Sequence, residues 1–481
     1  MPISVTLPQG EVVGAPRDGC LAWLGIPYAA ASRLLAPQPA PGWNGPRAAT
    51  AFGPACPQWR GLRLAAGAGY DEDCLSINIW SPTAEGEKRP VLVYLYGGAF
   101  VAGQANPWNP AHFVRDGDVV AVTFNYRVGP LGFVNFASLA GGEGLDGNLG
   151  LRDQIAALTW VRANIAAFGG DPERVTVFGQ SAGSVSLSLL MISAAARGLF
   201  HRAIMGSGGP SLIHSAAMSQ HVAQLYAEEL AIDGDAADRL RAMPVERLLR
   251  AQRAVDRRLD GTIAASPWFD GDLLPSSLDE AMTAAQAPIP LLAGTARDET
   301  RLFELLPGPR QLPQDRADVA RLLYEQAPEQ ADNILAAYPD TKAGGRALAT
   351  DATFAINTRH FAERHAATQP VWFYRLDAAN PVLGALHGID CTYIWNFTGP
   401  LFAALRGGPL IGRRKALATR MQQHIVNFVR DGAPDPAWPC WSESGDSTRI
   451  YDVADRFVEG LDAARRRAWA GVDLLSCGTP P

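Results

Sequence analysis

In "VFGQSAGS", residues 177–184, a serine stands between two glycines. A serine hydroxyl is a poor nucleophile until a base takes its proton, so chemistry at Ser181 requires partners from elsewhere in the chain. Eight histidines are available, at 112, 201, 214, 221, 360, 365, 387 and 424. Most lie in helical or strand-end patterns, where a surface or hydrogen-bonded core histidine is the plain reading. His387 differs: it sits in "GALHGID" (384–390), a glycine-flanked loop shortly after the apolar run "PVWFYRL". A base of this kind needs one carboxylate on its other nitrogen, to fix the tautomer and stabilise the imidazolium. The candidates are Asp298 and Glu299 in "GTARDETRLF" (294–303), again just past an apolar run, and spacing does not choose between them. Backbone donors for a tetrahedral oxyanion are offered by "YGGAF" (96–100), where Gly98 and Ala99 carry little side chain, and by the N–H of Ala182. Each short signal has a plain alternative, a glycine-rich turn, and context must separate the two.

The elements around these residues favour the chemistry. Continuous apolar runs at 90–96, 118–126, 174–179, 289–295 and 370–376 read as strands buried on both faces of a sheet. Between them lie helical patterns. Leu151, Ile155, Leu158, Val161, Ile165 and Phe168 form one apolar stripe that stops at Gly169. Strands alternating with helices predict an α/β fold with a mostly parallel central sheet covered by helices. Residues 1–481 are expected to form one domain, with a helix-rich subdomain at about 211–370 inserted over the active site. Ser181 then falls where the strand "RVTVFG" meets the helix "SAGSVSLSLLMIS", a sharp turn that Gly179 and Gly183 permit. The N-terminal "MPISVTLPQGEVVGA" alternates like a first strand.

Composition excludes several alternatives. The net charge is −6 (42 basic, 48 acidic residues), which gives no general attraction to nucleic acid or to an anionic membrane. No run reaches the roughly 20 apolar residues of a membrane span. The start of the chain lacks a basic, then apolar leader, so a cytoplasmic location is expected. The six cysteines, at 20, 56, 74, 391, 440 and 477, form no C-x-x-C, so no metal site or redox motif is expected. Cys56 and Cys74 could close a short loop or remain free thiols.

Read together, these residues resemble the type B carboxylesterases, the family of cholinesterases and bacterial p-nitrobenzyl esterases. The resemblance runs through "GIPYA" (25–29), "EDCLSINIW" (72–80), "YGGAF" and "NYRVGPLGF" (125–133). It continues through "GNLGLRDQIAALTWVRANIAAFGGDPERVTVFGQSAG" (147–183), "FHRAIMGSG" (200–208), "DGDLLP" (270–275), "GTARDETRLF" and "HGID" (387–390). It implies an α/β-hydrolase fold, no cofactor, and hydrolysis of a small-molecule ester by acyl transfer. Carried over residue by residue, Ser181 is the nucleophile, His387 the base and Glu299 the acid, with Gly98, Ala99 and Ala182 as oxyanion donors. It also implies a structural ion pair between Arg33 and Glu72, and a disulfide between Cys56 and Cys74. A monomer is expected, with a dimer as the alternative.

The chain departs from the family pattern at several places. Gln180 stands where the family has Glu, Thr300 where it has the Gly of D-E-G, and Gly206-Ser207-Gly208 where it has Q-S-G; Ser207 could still hydrogen-bond the acid. Leu64 occupies the position of the cholinesterase tryptophan that holds a quaternary ammonium by cation–π attraction. The small residues "GTIAAS" (261–266) occupy the place of that family's bulky acyl clamp. Broad hydrolysis of neutral esters is therefore expected rather than choline ester specialism. Trp108 is either a pocket-lining residue or loop packing. The alternatives are a dedicated hydrolase of one natural product, carbamate, polyester or amide using the same triad, and a catalytically silent binding protein. The last would usually lack the serine or histidine that this chain retains.

Overall fold

The structure is a computed structural model that describes residues 3–478, other than 60–68, 84–87, 260, 307–309, 311, 379 and 442–444. Leu64 lies outside the described residues. The chain opens with β1 (Ile3–Leu7), β2 (Gly10–Arg17) and β3 (Cys20–Pro27), successive strands paired antiparallel. The expected first strand is β1, whose alternation buries Val5 and Leu7 and exposes Ser4 and Thr6. There follow β4 (Ser76–Ser81), β5 (Arg89–Leu95), β6 (Val120–Phe124), β7 (Gly170–Gln180), β8 (Arg202–Gly206), β9 (Leu291–Ala296), β10 (Val371–Leu376), β11 (Thr448–Tyr451) and β12 (Arg456–Val458). They lie side by side in the order β1-β2-β3-β4-β6-β5-β7-β8-β9-β10-β11-β12. Every pairing from β6 across to β11 is parallel, and the two flanks are antiparallel.

The five apolar runs of the sequence appear as β5, β6, β7, β9 and β10. β4, β8 and β11 gave no separate signal. In these three strands polar residues (Asn78, Arg202, Arg449) interrupt the apolar pattern.

The main helices are α1 (Leu149–Asn164), α2 (Ala182–Ile192), α3 (Ala216–Leu230), α4 (Val245–Arg258), α5 (Lys342–Thr350), α6 (Ile356–Ala366) and α7 (Gly412–Asp431); α1, α2, α6 and α7 pack on the sheet, α3 and α4 pack on each other, and α5 packs on the helix Arg316–Gln326. The stripe read over 151–168 becomes α1 plus a 3₁₀ turn at Ile165–Phe168. Gly169 ends it at φ 79°, a left-handed conformation that costs glycine little. Every residue of α2 is buried, and its three serines are hydrogen-bonded there: Ser184 Oγ donates to Gly208 O at 2.7 Å, Ser188 Oγ donates to Val185 O at 2.7 Å, and Ser186 Oγ accepts from Gln154 Nε2 at 3.1 Å. A fully buried ion pair fixes α1: Arg127 places Nε 2.8 Å from Asp153 Oδ2 and Nη2 2.7 Å from Oδ1. Arg33 and Glu72 form the ion pair that the resemblance implied, with Nε 2.7 Å from Oε2. The remaining bonds of the Arg33 guanidinium run to backbone carbonyls at Leu240, Arg241 and Met243, so its role is to join segments.

Candidate active site

The parallel register brings five strand ends level. Leu95 of β5 faces Gly179 of β7, Gln180 of β7 faces Gly206 of β8, Gly206 faces Gly294 of β9, and Gly294 faces Tyr374 of β10. The loops that leave these ends carry Gly98 and Ala99, Ser181, Ser207, Glu299 and His387 in turn. A parallel sheet collects reactive groups at its carboxyl edge for this reason: every strand delivers its following loop to the same side.

Ser181 joins β7 to α2 at φ 58°, ψ −129°, a strained conformation for a side chain with a Cβ. Surrounding contacts impose it. The Ser181 N–H donates to Gly206 O at 2.8 Å, while its carbonyl accepts from the Ser184 and Val185 N–H groups. The flanking glycines are sterically required: a Cβ on Gly179 would strike the Gly183 carbonyl, and one on Gly183 would strike the Leu95 carbonyl.

Ser181 Oγ lies 2.7 Å from His387 Nε2, and His387 Nδ1 lies 2.6 Å from Glu299 Oε2. The three side chains are nearly enclosed, with Glu299 wholly buried. The other carboxylate oxygen of Glu299, Oε1, accepts 2.6 Å bonds from the Ser207 hydroxyl and from the Ala296 N–H. Of the two acids that spacing left open, Glu299 is therefore the one on the imidazole. Asp298 instead accepts from the Ala385 N–H at 2.8 Å and so ties the histidine loop to the acid loop. The Thr300 departure is accommodated by the Thr350 hydroxyl, 3.0 Å from the Thr300 hydroxyl.

The Gly98 loop abuts the serine: a Cβ on Gly97 would stand 2.7 Å from Ser181 Cβ. Gly98, Ala99 and Phe100 all have positive φ (136°, 52° and 60°), which turns the backbone sharply at this point. Among the described residues the N–H groups of Gly98, Ala99 and Ala182 donate to no backbone carbonyl or side-chain acceptor. Ala182 opens α2, so its N–H also has no partner within the helix.

Other groups surround this core. Asp390, to which no sequence pattern assigns a role, is buried within reach of the Glu299 charge. Burial pushes its carboxyl up to about 6, and the Glu299 charge adds to the effect. Asp390 accepts from the Tyr374 hydroxyl at 3.1 Å and from the Cys391 N–H at 2.9 Å. An aspartate three residues after a histidine carries no local signal of this placement. Gln180 is buried, and among the described residues its Nε2 makes no hydrogen bond. Trp108 belongs to an aromatic cluster with Tyr94, Trp395 and Phe397, at ring separations of 4.6, 5.5 and 5.2 Å. Residues 261–266 are enclosed, with Ser266 Oγ bonded to Leu212 O and Thr262 Oγ1 to Cys477 O. Cys56 and Cys74 are both buried free thiols. The Cys74 thiol is pushed well up by its hydrogen bond with Cys56 and by burial. His112, His214 and His424 are held down to about 4 by burial, which marks them as core histidines.

Comparison with known proteins agrees with this architecture. The sequence profile described as the carboxylesterase family matches residues 2–458. The para-nitrobenzyl esterase of Bacillus subtilis (strain 168) is 33% identical over 468 residues, covering 93% of this chain and 94% of its own. The phenmedipham hydrolase of Pseudarthrobacter oxydans is 32% identical, covering 95% of each chain. A solved PNB esterase structure superposes with a TM-score of 0.88 at 32% identity, covering 97% of this chain and 99% of the other. The chain thus belongs to the carboxylesterase family, and its fold is the α/β-hydrolase fold. It is a carboxylic-ester hydrolase. Among the described residues no helix is long and apolar enough to cross a membrane.

Proposed function

We propose that this enzyme hydrolyses neutral carboxylic esters of varied structure through an acyl-enzyme, with Ser181 as nucleophile, His387 as general base and then acid, and Glu299 as the group that orients and charge-balances the imidazole. The observation that carries this reading is the continuous chain from Ser181 Oγ to His387 Nε2 at 2.7 Å and from His387 Nδ1 to Glu299 Oε2 at 2.6 Å.

In the first half, Ser181 Oγ forms a bond to the ester carbonyl carbon as its proton passes to His387 Nε2. The carbonyl oxygen takes up the negative charge, and the unengaged N–H groups of Gly98, Ala99 and Ala182 are the donors assigned to it; losing one such donor typically costs about 3–4 kcal/mol of barrier. Collapse of this intermediate breaks the bond to the alkoxy oxygen, which leaves with the proton from Nε2. In the second half, water gives its proton to Nε2 and attacks the acyl carbon, and the proton returns to Ser181 Oγ as the acid departs. The low dielectric around the wholly buried Glu299 strengthens its hold on the imidazolium.

The test is Ser181→Ala assayed on p-nitrophenyl acetate. More than a trace of remaining hydrolysis sinks the mechanism. Breadth of substrate is tested by a series of acyl lengths and alcohol sizes. A second reading, one dedicated natural ester, draws on the different substrates in the names of similar proteins, para-nitrobenzyl esterase and phenmedipham hydrolase. A kcat/KM optimum confined to one member of the series would favour it.

A further inference from the structure

We propose that Phe354, presented by a one-turn π-helix, is a positioning residue that holds the His387 imidazole in its working plane and stabilises it while it carries the proton. The inference rests on the proposed role of His387. The Phe354 ring lies face to face with the imidazole, at a centroid distance of 4.3 Å and an interplanar angle of 29°. Phe303, from the segment just after Glu299, meets the same imidazole at 5.3 Å and stacks on Phe354 at 5.9 Å. Phe354 is completely buried, so it covers the imidazole face and keeps water from it.

The backbone that presents Phe354 is unusual. Residues Asp351–Ala355 form a π turn between α5 and α6, closed by the Ile356 N–H donating to Asp351 O. Such a turn inserts an extra residue and disturbs the ordinary helical ladder, so it persists only where other groups hold it. Here they do. Ser211 Oγ donates to Thr353 O at 3.0 Å, and Ser476 Oγ donates to Ala352 O at 3.3 Å. The Asp351 carboxylate accepts from the Tyr338 hydroxyl at 2.6 Å and from Arg465 Nη1 at 3.0 Å. Thr350, immediately before the turn, accepts from the Thr300 N–H at 3.3 Å, and Thr300 adjoins Glu299. The π turn and the acid loop are therefore fastened to each other, and they grip the imidazole from its face and from its Nδ1 edge.

The physical consequence is twofold. Rotation of the imidazole about its bond to Cβ would break both the Ser181 and the Glu299 contacts, and the stacked ring blocks that rotation. When His387 carries the proton it is a cation against the electron-rich face of a phenyl ring, an attractive arrangement in a desolvated site. Both effects act on the transition state more than on ester binding, so they belong to kcat.

The experiment compares Phe354→Leu with Phe361→Leu, another completely buried phenylalanine on α6. Both remove a buried ring, but only the first uncovers His387. Steady-state kinetics on p-nitrophenyl acetate, the rate of Ser181 phosphonylation by a fluorophosphonate, and Tm are measured for each. Phe354→Leu is expected to lower kcat and the phosphonylation rate at least about tenfold, the size of effect that slight misplacement of a catalytic group produces, with KM within about twofold. Phe361→Leu is expected to lower Tm while leaving kcat within about twofold. Equal kcat in the two variants, whether both retained or both lost, overturns the inference. If Phe354→Leu does not fold, Phe354→Met, of similar volume without a ring face, is read by the same criteria. Ser181→Ala, run beside them, keeps the two claims apart. If it is inactive while Phe354→Leu is normal, only the present inference fails; if it retains turnover, the proposed mechanism fails and takes this inference with it.

Discussion

At the scale of single residues, the site is organised by what each carboxylate touches. Glu299 divides its two oxygens: one faces His387 and the other accepts from Ser207 and the Ala296 N–H. Removing the Ser207 hydroxyl takes a donor from a buried charge and frees the carboxylate to turn. Ser207→Ala is expected to lower kcat about tenfold with little change in KM, measured by steady-state kinetics on p-nitrophenyl acetate. Asp390 gives a pH signature. Its carboxyl moves from an ordinary value of 3.8 up to about 6 on folding, because burial penalises the charged form. The folded state therefore binds this proton more tightly than the unfolded chain. Below about pH 4 the group is neutral in both states and costs nothing; as pH rises towards 6 stability is lost, and above that the loss is constant. In Asp390→Asn this loss is absent, so the variant should gain on the wild type between about pH 4 and 6. Urea midpoints across that range check it, and a pH-independent difference would refute it.

At the scale of elements, two features fix the serine-bearing turn. Gly183 lies where any Cβ would strike the Leu95 carbonyl of the neighbouring strand, so Gly183→Ala must displace either α2 or β5. Its expected outcome is loss of esterase activity beyond about a hundredfold even where folded protein is recovered, read by activity and circular dichroism together. The helix before β7 is anchored by the Arg127–Asp153 pair, whose side chains are 5% and 0% exposed. Asp153→Asn leaves the guanidinium buried without its counter-charge. The expected loss is about 3–5 kcal/mol of unfolding free energy, measured by urea titration.

At the scale of the whole molecule, the core is unevenly divided. The main cluster spans the sheet and its covering helices, while a separate one unites Val319, Leu323, Ile334, Leu348, Trp469 and Leu474. Trp469 Nε1 also donates to the Tyr338 hydroxyl at 2.8 Å, and that hydroxyl donates to Asp351 of the π turn. Trp469→Ala should cost about 3–5 kcal/mol through the cavity it leaves. Hydrogen exchange should show protection lost first in the helices Arg316–Gln326 and Pro328–Ala336, ahead of β5 and β7. Uniform loss across both clusters would show instead that the molecule has one cooperative core.

The sequence alone determined the five strands with continuous apolar runs, the serine-bearing turn and α1, because each is a local matter: an apolar run, a glycine where no Cβ fits, a helix stop at Gly169. It also marked His387, by its glycine-flanked place after a strand. What local pattern left open was pairwise. Asp298 and Glu299 are neighbours with the same chemistry, and only the path of the backbone out of β9 decides which reaches the imidazole and which binds the Ala385 N–H. β4, β8 and β11 carry no clear local pattern, because Asn78, Arg202 and Arg449 break their apolar runs and their burial comes from neighbouring strands. Asp390 and Phe354 were silent for the same reason. An aspartate three residues past a histidine and a phenylalanine in a helical stretch become significant only when β10, the π turn and the acid loop converge, and convergence of segments distant along the chain is a property of the tertiary structure alone.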